Sequence, residues 1–179
     1  MDGQWAADFI LAGNPHPYTS VVGHSYGTTV AANAVTTLNH YVQSVVFLAS
    51  AGVEQNIASV DALHVDGGEQ HVYASQSSHD DVADAGRGLS GRKDPRDNSF
   101  RARRFSSEGD PEHNLQTTDG HDPIGYGTDN GSLFNPHATK GHGYLDRDTE
   151  ALRNTAAASL GLDRRINGGT SIPGTGKKQ

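Results

Sequence analysis

The residues best suited to do chemistry in this chain lie in the stretch Gly23-His24-Ser25-Tyr26-Gly27. A short β-branched run precedes this Gly-x-Ser-x-Gly pattern and an alanine-rich segment follows it, which predicts a strand before and a helix after. Such a context is typical of a nucleophile elbow, where a serine hydroxyl stands on a sharp strand-to-helix turn, although an ordinary turn is the simpler alternative. We expect Gly23 and Gly27 to avoid Cβ clashes. Ser25 is predicted to be a nucleophile, and the Tyr26 amide at the helix start an oxyanion donor.

A nucleophilic serine needs a base to take its proton, and the base needs an acid to orient it. The acid is expected just after a later strand, and Asp80 and Asp81 follow the predicted strand at 70–75. Asp80 is preferred because it lies closer to the strand end. The simpler alternative for both residues is a solvated acidic turn, since aspartate is common in turns.

Four histidines lie where a base is expected, on the segment that precedes the last predicted helix: His113, His121, His137 and His142. His142 is preferred because glycines flank it and the helix begins nearby. His137 is its main rival, and His24 is expected to pack or to form a local hydrogen bond. The His and Asp spacing does not match that of a metal site, and His-Glu-x-x-His is absent, so we expect no metal and no cofactor.

The elements that must position these residues alternate between strands and helices. The sequence predicts buried strands at 19–24, 43–49 and 70–75, a weak edge strand at 102–106, and helices at 4–11, 26–39 and 148–160. Such alternation favours an α/β fold, with a parallel sheet and flanking helices. For the last helix we expect Asp148 as N-cap, Leu152 and Leu160 as core contacts and Gly161 as the end.

One domain is predicted over residues 1–162, with a long loop or insertion at 107–140, followed by a flexible tail at 163–179. The elbow of an α/β-hydrolase ordinarily follows several strands, whereas Ser25 comes early in this sequence. We therefore expect the C-terminal half of that fold, lacking the N-terminal strands. The missing strands would be explained by a longer parent protein, by a partner chain or segment that completes the sheet, or by a shortened family. The usual second oxyanion donor has no candidate upstream, so activity is expected to be weak or lost.

Composition excludes several classes of function. The net charge of −7 argues against binding to a nucleic-acid backbone. Cysteine is absent, which excludes disulfides and thiolate metal sites. The sequence shows neither a long apolar span nor a signal peptide, so a cytoplasmic location is only the default expectation.

Several segments resemble, in this order, an α/β-hydrolase domain family of uncharacterised function that is common in actinobacteria. They are residues 21–30, 45–53, the turn His79-Asp80, residues 91–95, residues 100–105, Gly141-His142-Gly143-Tyr144 and residues 150–154. The resemblance implies Ser25 as nucleophile, Asp80 as acid and His142 as base. Two departures are Asp81, where the family tends to have proline, and the long segment 107–140.

The sequence thus predicts a serine hydrolase, foremost one that cleaves small-molecule or lipid carboxylic esters. A peptidase or amidase would use the same triad, because the leaving group is selected by the pocket. The alternative from another class is a non-catalytic module, derived from a hydrolase and used for binding or assembly in a larger protein or complex.

Overall fold

A computed structural model describes residues 18–125, 139 and 141–166 of the chain. The predicted helix at 4–11 and most of the predicted tail lie outside these residues. The described residues contain one parallel sheet with the spatial order β1-β2-β3-β4. Its strands are β1 (Ser20–His24), β2 (Ser44–Leu48), β3 (Val72–Ser75) and β4 (Arg103–Arg104).

The hydrophobic core lies on both faces of this sheet, as the alternation of β2 shows. Val45 and Phe47 belong to one buried cluster, whereas Val46 and Leu48 belong to a second cluster. Successive side chains of a strand point to opposite faces, so the two clusters cover opposite sides. A strand buried on both faces reads as a continuous apolar run, which is what the Ser-Val-Val-Phe-Leu segment provides.

Helices pack against both sides of the sheet. Helix α1 (Tyr26–Thr37) contributes to the first cluster and α3 (Glu150–Ser159) to the second. Helix α2 (Asp81–Ser90) follows β3 directly. The predicted α/β fold, a parallel sheet with flanking helices, is therefore confirmed.

Two strand predictions differ from the structure. Strand β1 was expected to be buried, but in the described part of the chain it lies at an edge of the sheet and Val22 is exposed. The weak strand predicted at 102–106 is an edge strand, as expected, but it is only two residues long. Both of its residues are half-buried arginines, and charged side chains are common on the edge strands of sheets.

The helix predictions differ at their ends. Helix α3 begins at Glu150, and Thr149 rather than Asp148 caps it, with its side chain accepting from the Leu152 N–H. Asp148 has a φ of 65°, which excludes it from helical backbone. Leu160 is exposed rather than in the core, because α3 packs through small residues such as Ala158.

Two further segments, from the predicted long loop and from the predicted tail, contain local structure. Within 107–125, Asp110 and Leu115 form an antiparallel bridge and Gln116 bridges to Thr149. The start of the predicted tail forms a short 3-10 turn over Asp163–Arg165, and the Tyr73 hydroxyl bonds Asp163. Among the described residues, no helix is long and apolar enough to cross a membrane.

Candidate active site

Ser25 stands at a strained turn between β1 and α1. Its φ of 54° and ψ of −128° lie in a region that costs non-glycine residues about 1–3 kcal/mol. The turn is held because the Ser25 N–H donates to the Leu48 carbonyl at 3.0 Å. The Ser25 carbonyl in turn accepts from the Thr28 hydroxyl at 2.7 Å. Ser25 occupies the N-cap position of α1 without a capping bond from its side chain, so its hydroxyl is directed elsewhere.

The two glycines of the Gly-x-Ser-x-Gly pattern have different roles. A Cβ on Gly23 would lie 2.9 Å from the Cα of Thr28, so only glycine fits between β1 and α1 there. A Cβ on Gly27 would meet nothing within 4 Å. The expected Cβ clash is thus confirmed at Gly23. At Gly27 the expectation is wrong, because this residue lies on the exposed side of α1.

Asp80 is placed by the end of β3 and the start of α2. It is the N-cap of α2, where its Oδ1 accepts from the Ala83 N–H at 3.1 Å. The whole residue is only 2% exposed. Its Oδ2 accepts from the Tyr144 hydroxyl at 2.9 Å. The adjacent Asp81 is exposed on the first turn of α2, so only one of the two predicted acids faces the interior.

His121 lies between Ser25 and Asp80. Its Nε2 is 2.6 Å from the Ser25 Oγ, and its Nδ1 is 2.9 Å and 3.1 Å from the two Asp80 carboxylate oxygens. Because the carboxylate can only accept, Nδ1 carries the proton and Nε2 is left to accept from the serine hydroxyl. The three side chains form a continuous relay from a hydroxyl to a buried carboxylate.

Burial by itself would raise the pKa of Asp80. Hydrogen bonds from His121, the Ala83 N–H and Tyr144 outweigh burial and hold that pKa below its ordinary value. Asp80 is therefore an anion at neutral pH, which is the state that orients an imidazole and stabilises its positive form.

The segment around His121 has no regular secondary structure and is held by specific contacts. The Thr118 N–H donates to the Ser107 carbonyl at 3.0 Å, just before His121. Just after it, the Asp122 N–H donates to the Thr139 hydroxyl at 2.9 Å. These contacts fix the backbone on either side of the imidazole.

His142, the base that the sequence favoured, is not the histidine in contact with Ser25. Its backbone pairs with Asp119: the Asp119 N–H donates to the His142 carbonyl, and the His142 N–H donates to the Asp119 carboxylate, both at 2.8 Å. A Cβ on Gly141 would lie 2.0 Å from the Asp119 carboxylate, and one on Gly143 2.6 Å from the Asp122 carbonyl. The glycines thus let this segment lie directly against the one that carries His121, rather than freeing the His142 ring.

The other sequence candidates lie apart from this relay or outside the described residues. His113 pairs with Asp110 at 2.7 Å on an exposed turn. His137 lies outside the described residues. Both His121 and His142 follow Asp80 in the sequence and adjoin a glycine, and the second glycine beside His142 did not identify the histidine that contacts Ser25. The role of Tyr144 was not predicted at all.

His24 forms a hydrogen bond, as expected, but with a residue 97 positions away in the sequence rather than with a local group. Its Nε2–H donates to the His121 backbone carbonyl at 2.6 Å, and the two rings lie 5.1 Å apart. Burial lowers the pKa of His24, which outweighs the raising effect of this bond. The ring is therefore neutral near pH 7 and supports the backbone of His121 without adding charge.

The arrangement has the geometry for activating a serine hydroxyl. The Ser25 side chain is half-buried, and the backbone amide of Tyr26 lies at the start of α1, where the helix dipole favours negative charge. Within residues 18–125, 139 and 141–166, no group of three or more His, Asp or Glu side chains is arranged to hold a metal ion.

Part of the chain is similar to a known protein family. Residues 6–90, just under half of the chain, match a protein-family model described as alpha/beta hydrolase. This range contains Ser25 and Asp80 and ends before His121. No curated protein and no solved structure matched the chain.

Proposed function

We propose that this chain is a serine hydrolase of carboxylic esters, with Ser25 as nucleophile, His121 as general base and Asp80 as the orienting acid. The observation that carries the proposal is the hydrogen-bonded relay across these three side chains, with a 2.6 Å contact between the Ser25 Oγ and the His121 Nε2. Its substrate class is a small-molecule or lipid ester. The match of residues 6–90 to an alpha/beta hydrolase model is independent support for hydrolase chemistry.

In the proposed reaction His121 Nε2 takes the hydroxyl proton while the Ser25 Oγ bonds to the ester carbonyl carbon. The carbonyl oxygen becomes an oxyanion, which the Tyr26 N–H stabilises at the start of α1. His121 then gives its proton to the departing alcohol, leaving an acyl-Ser25 ester. Water, deprotonated by the same imidazole, releases the acid and restores the hydroxyl. Asp80 stays ionised throughout, which agrees with the lowered direction of its pKa.

A fluorophosphonate probe combined with hydrolysis of a p-nitrophenyl ester tests this proposal. The wild-type chain should be labelled at Ser25, and Ser25→Ala should lose labelling and about 10⁴-fold or more of the esterase rate. A matched control is Ser78→Ala, which changes an exposed serine that bonds Glu108 outside the relay. That variant should be labelled like the wild type.

Two outcomes would reject the proposal. Turnover retained in Ser25→Ala would assign the chemistry to another group. A folded wild-type chain that neither reacts with the probe nor cleaves the ester would favour the non-catalytic binding or assembly module. Comparing a p-nitrophenyl ester with the matching anilide then separates ester from amide cleavage, since the triad alone does not select the leaving group.

A further inference from the structure

Tyr144 belongs to the Gly141-His142-Gly143-Tyr144 stretch, but the proposed reaction assigns it no role. It is among the largest fully buried side chains, and it comes from the segment just before α3. Its hydroxyl nevertheless reaches Asp80, the N-cap of α2, which lies 64 positions earlier in the sequence. This buried side chain thus links two segments that are far apart in the sequence, and its hydroxyl contacts Asp80, the proposed acid of the relay.

The hydroxyl of Tyr144 occupies a fixed position in a chain of hydrogen bonds. It accepts from the Ser77 N–H at 2.8 Å and donates to Asp80 Oδ2 at 2.9 Å. Oδ1 of the same carboxylate accepts from the Ala83 N–H and from His121 Nδ1. The Ala83 N–H and the Tyr144 hydroxyl thus bind one oxygen each, with His121 Nδ1 within 3.1 Å of both, and the carboxylate cannot rotate without losing one of these bonds.

The Tyr144 hydroxyl keeps its proton near neutral pH. Burial and the negative charge of Asp80 raise the pKa of Tyr144 well above its ordinary value. Tyr144 is therefore a permanent donor, and it withdraws part of the carboxylate charge that would otherwise act on His121.

We propose that Tyr144 is a positioning residue for the Asp80–His121 pair, whose hydroxyl fixes the rotation of the carboxylate and moderates its pull on the imidazole. This inference rests on the proposed function. The Gly-His-Gly-Tyr stretch thus contributes to the site through its tyrosine, in a different role from the base that its histidine was expected to be.

The test is the rate of fluorophosphonate labelling at Ser25 as a function of pH in Tyr144→Phe. Phenylalanine keeps the ring and removes the hydroxyl, so the labelling rate should fall about tenfold, the size expected for a hydrogen bond to a charged group. The acidic limb of the profile should also move to higher pH, because an unshared carboxylate holds protonated His121 more strongly. Among the described residues, the titratable side chains that contact His121 are Asp80 and His24. Tyr144 acts through Asp80, Asp122 acts on His24, and Arg96 acts on Tyr144.

Tyr73→Phe is a matched control for lost stability. Tyr73 is also fully buried, lies in the same core cluster and donates its hydroxyl to a carboxylate, that of Asp163, outside the relay. This variant should lose stability like Tyr144→Phe but keep the wild-type labelling rate and pH profile. If Tyr144→Phe fails to fold, replacing Tyr144 with 3-fluorotyrosine keeps the shape and strengthens the donor, and the acidic limb should then move to lower pH.

A second comparison separates an effect through Asp80 from any other effect. In an Asp80→Ala background Tyr144→Phe should change the labelling rate less than about twofold, because the group it acts through is gone. An equal loss in both backgrounds, or an unchanged pH profile in Tyr144→Phe, would overturn this inference while leaving Ser25 labelling intact. Absence of labelling in the wild type would instead reject the proposed function itself.

Discussion

The turn that carries Ser25 and the segment that carries His121 meet at 2.6 Å, yet they are built in different ways. Ser25 is held by regular elements, because β1 ends at His24 and α1 begins at Tyr26. His121 lies in a segment without helix or strand, held by hydrogen bonds to distant groups such as Thr139 and His24. Ser25 is thus fixed by a turn between two regular elements, with the Leu48 carbonyl holding its N–H, whereas His121 is fixed by contacts made outside helices and strands.

The two parts of the site should therefore be disrupted by different kinds of substitution. The Ser25 turn depends on close backbone approach at Gly23, so a single added methyl group there should disrupt it. The His121 segment is held by several separate hydrogen bonds, so the loss of one of them should shift the imidazole without unfolding the chain. Three variant comparisons test this contrast.

The largest effect is expected from the choice of base. His121→Ala should lower esterase activity about 10⁴-fold, because the group that takes the serine proton is lost. His142→Ala should cost about tenfold or less, since its contacts to Asp119 are made by backbone atoms that alanine retains. Steady-state kinetics on a p-nitrophenyl ester measure both. A greater loss in His142→Ala than in His121→Ala would restore the base that the sequence favoured.

A smaller effect is expected from the two glycines beside the nucleophile. Gly23→Ala should lower the free energy of unfolding by about 1–3 kcal/mol, because the new methyl group would overlap the backbone at Thr28. Gly27→Ala should leave it unchanged or raise it by up to about 1 kcal/mol, since alanine is the better helix former and the space is open. Urea unfolding measures both changes, and equal destabilisation by the two variants would contradict the contrast.

The smallest effect is expected from the support that His24 gives to the His121 segment. Because burial lowers the pKa of His24, the unfolded chain binds its proton more readily than the folded chain. The stabilising contribution is therefore complete above about pH 6.5 and declines as the pH falls below it, by at most about 1.4 kcal/mol per pH unit. His24→Gln should flatten this part of the curve of unfolding free energy against pH. Parallel curves for the wild type and the variant would show that His24 does not titrate in this way.

The strands and helices with strong local sequence patterns could be predicted from the sequence alone. The β-branched run before Ser25, the alanine-rich segment after it and the Val-Val-Phe-Leu run of β2 each favour one conformation, and the parallel α/β fold follows from their alternation. Asp80 could also be predicted from the sequence, because the acid of such a relay is expected at the end of a strand. Helix α2 was not predicted, since its glycines and charged residues carry a weak helical signal.

The histidine that contacts Ser25 could be identified only from the folded structure. His121 and His142 lie on neighbouring segments that are joined by the pairing of Asp119 with His142, and it is the His121 ring that contacts Ser25. That pairing depends on contacts between residues far apart in the chain, for which spacing and residue type give no signal. The same holds for Tyr144, whose hydroxyl reaches Asp80 across 64 residues of sequence.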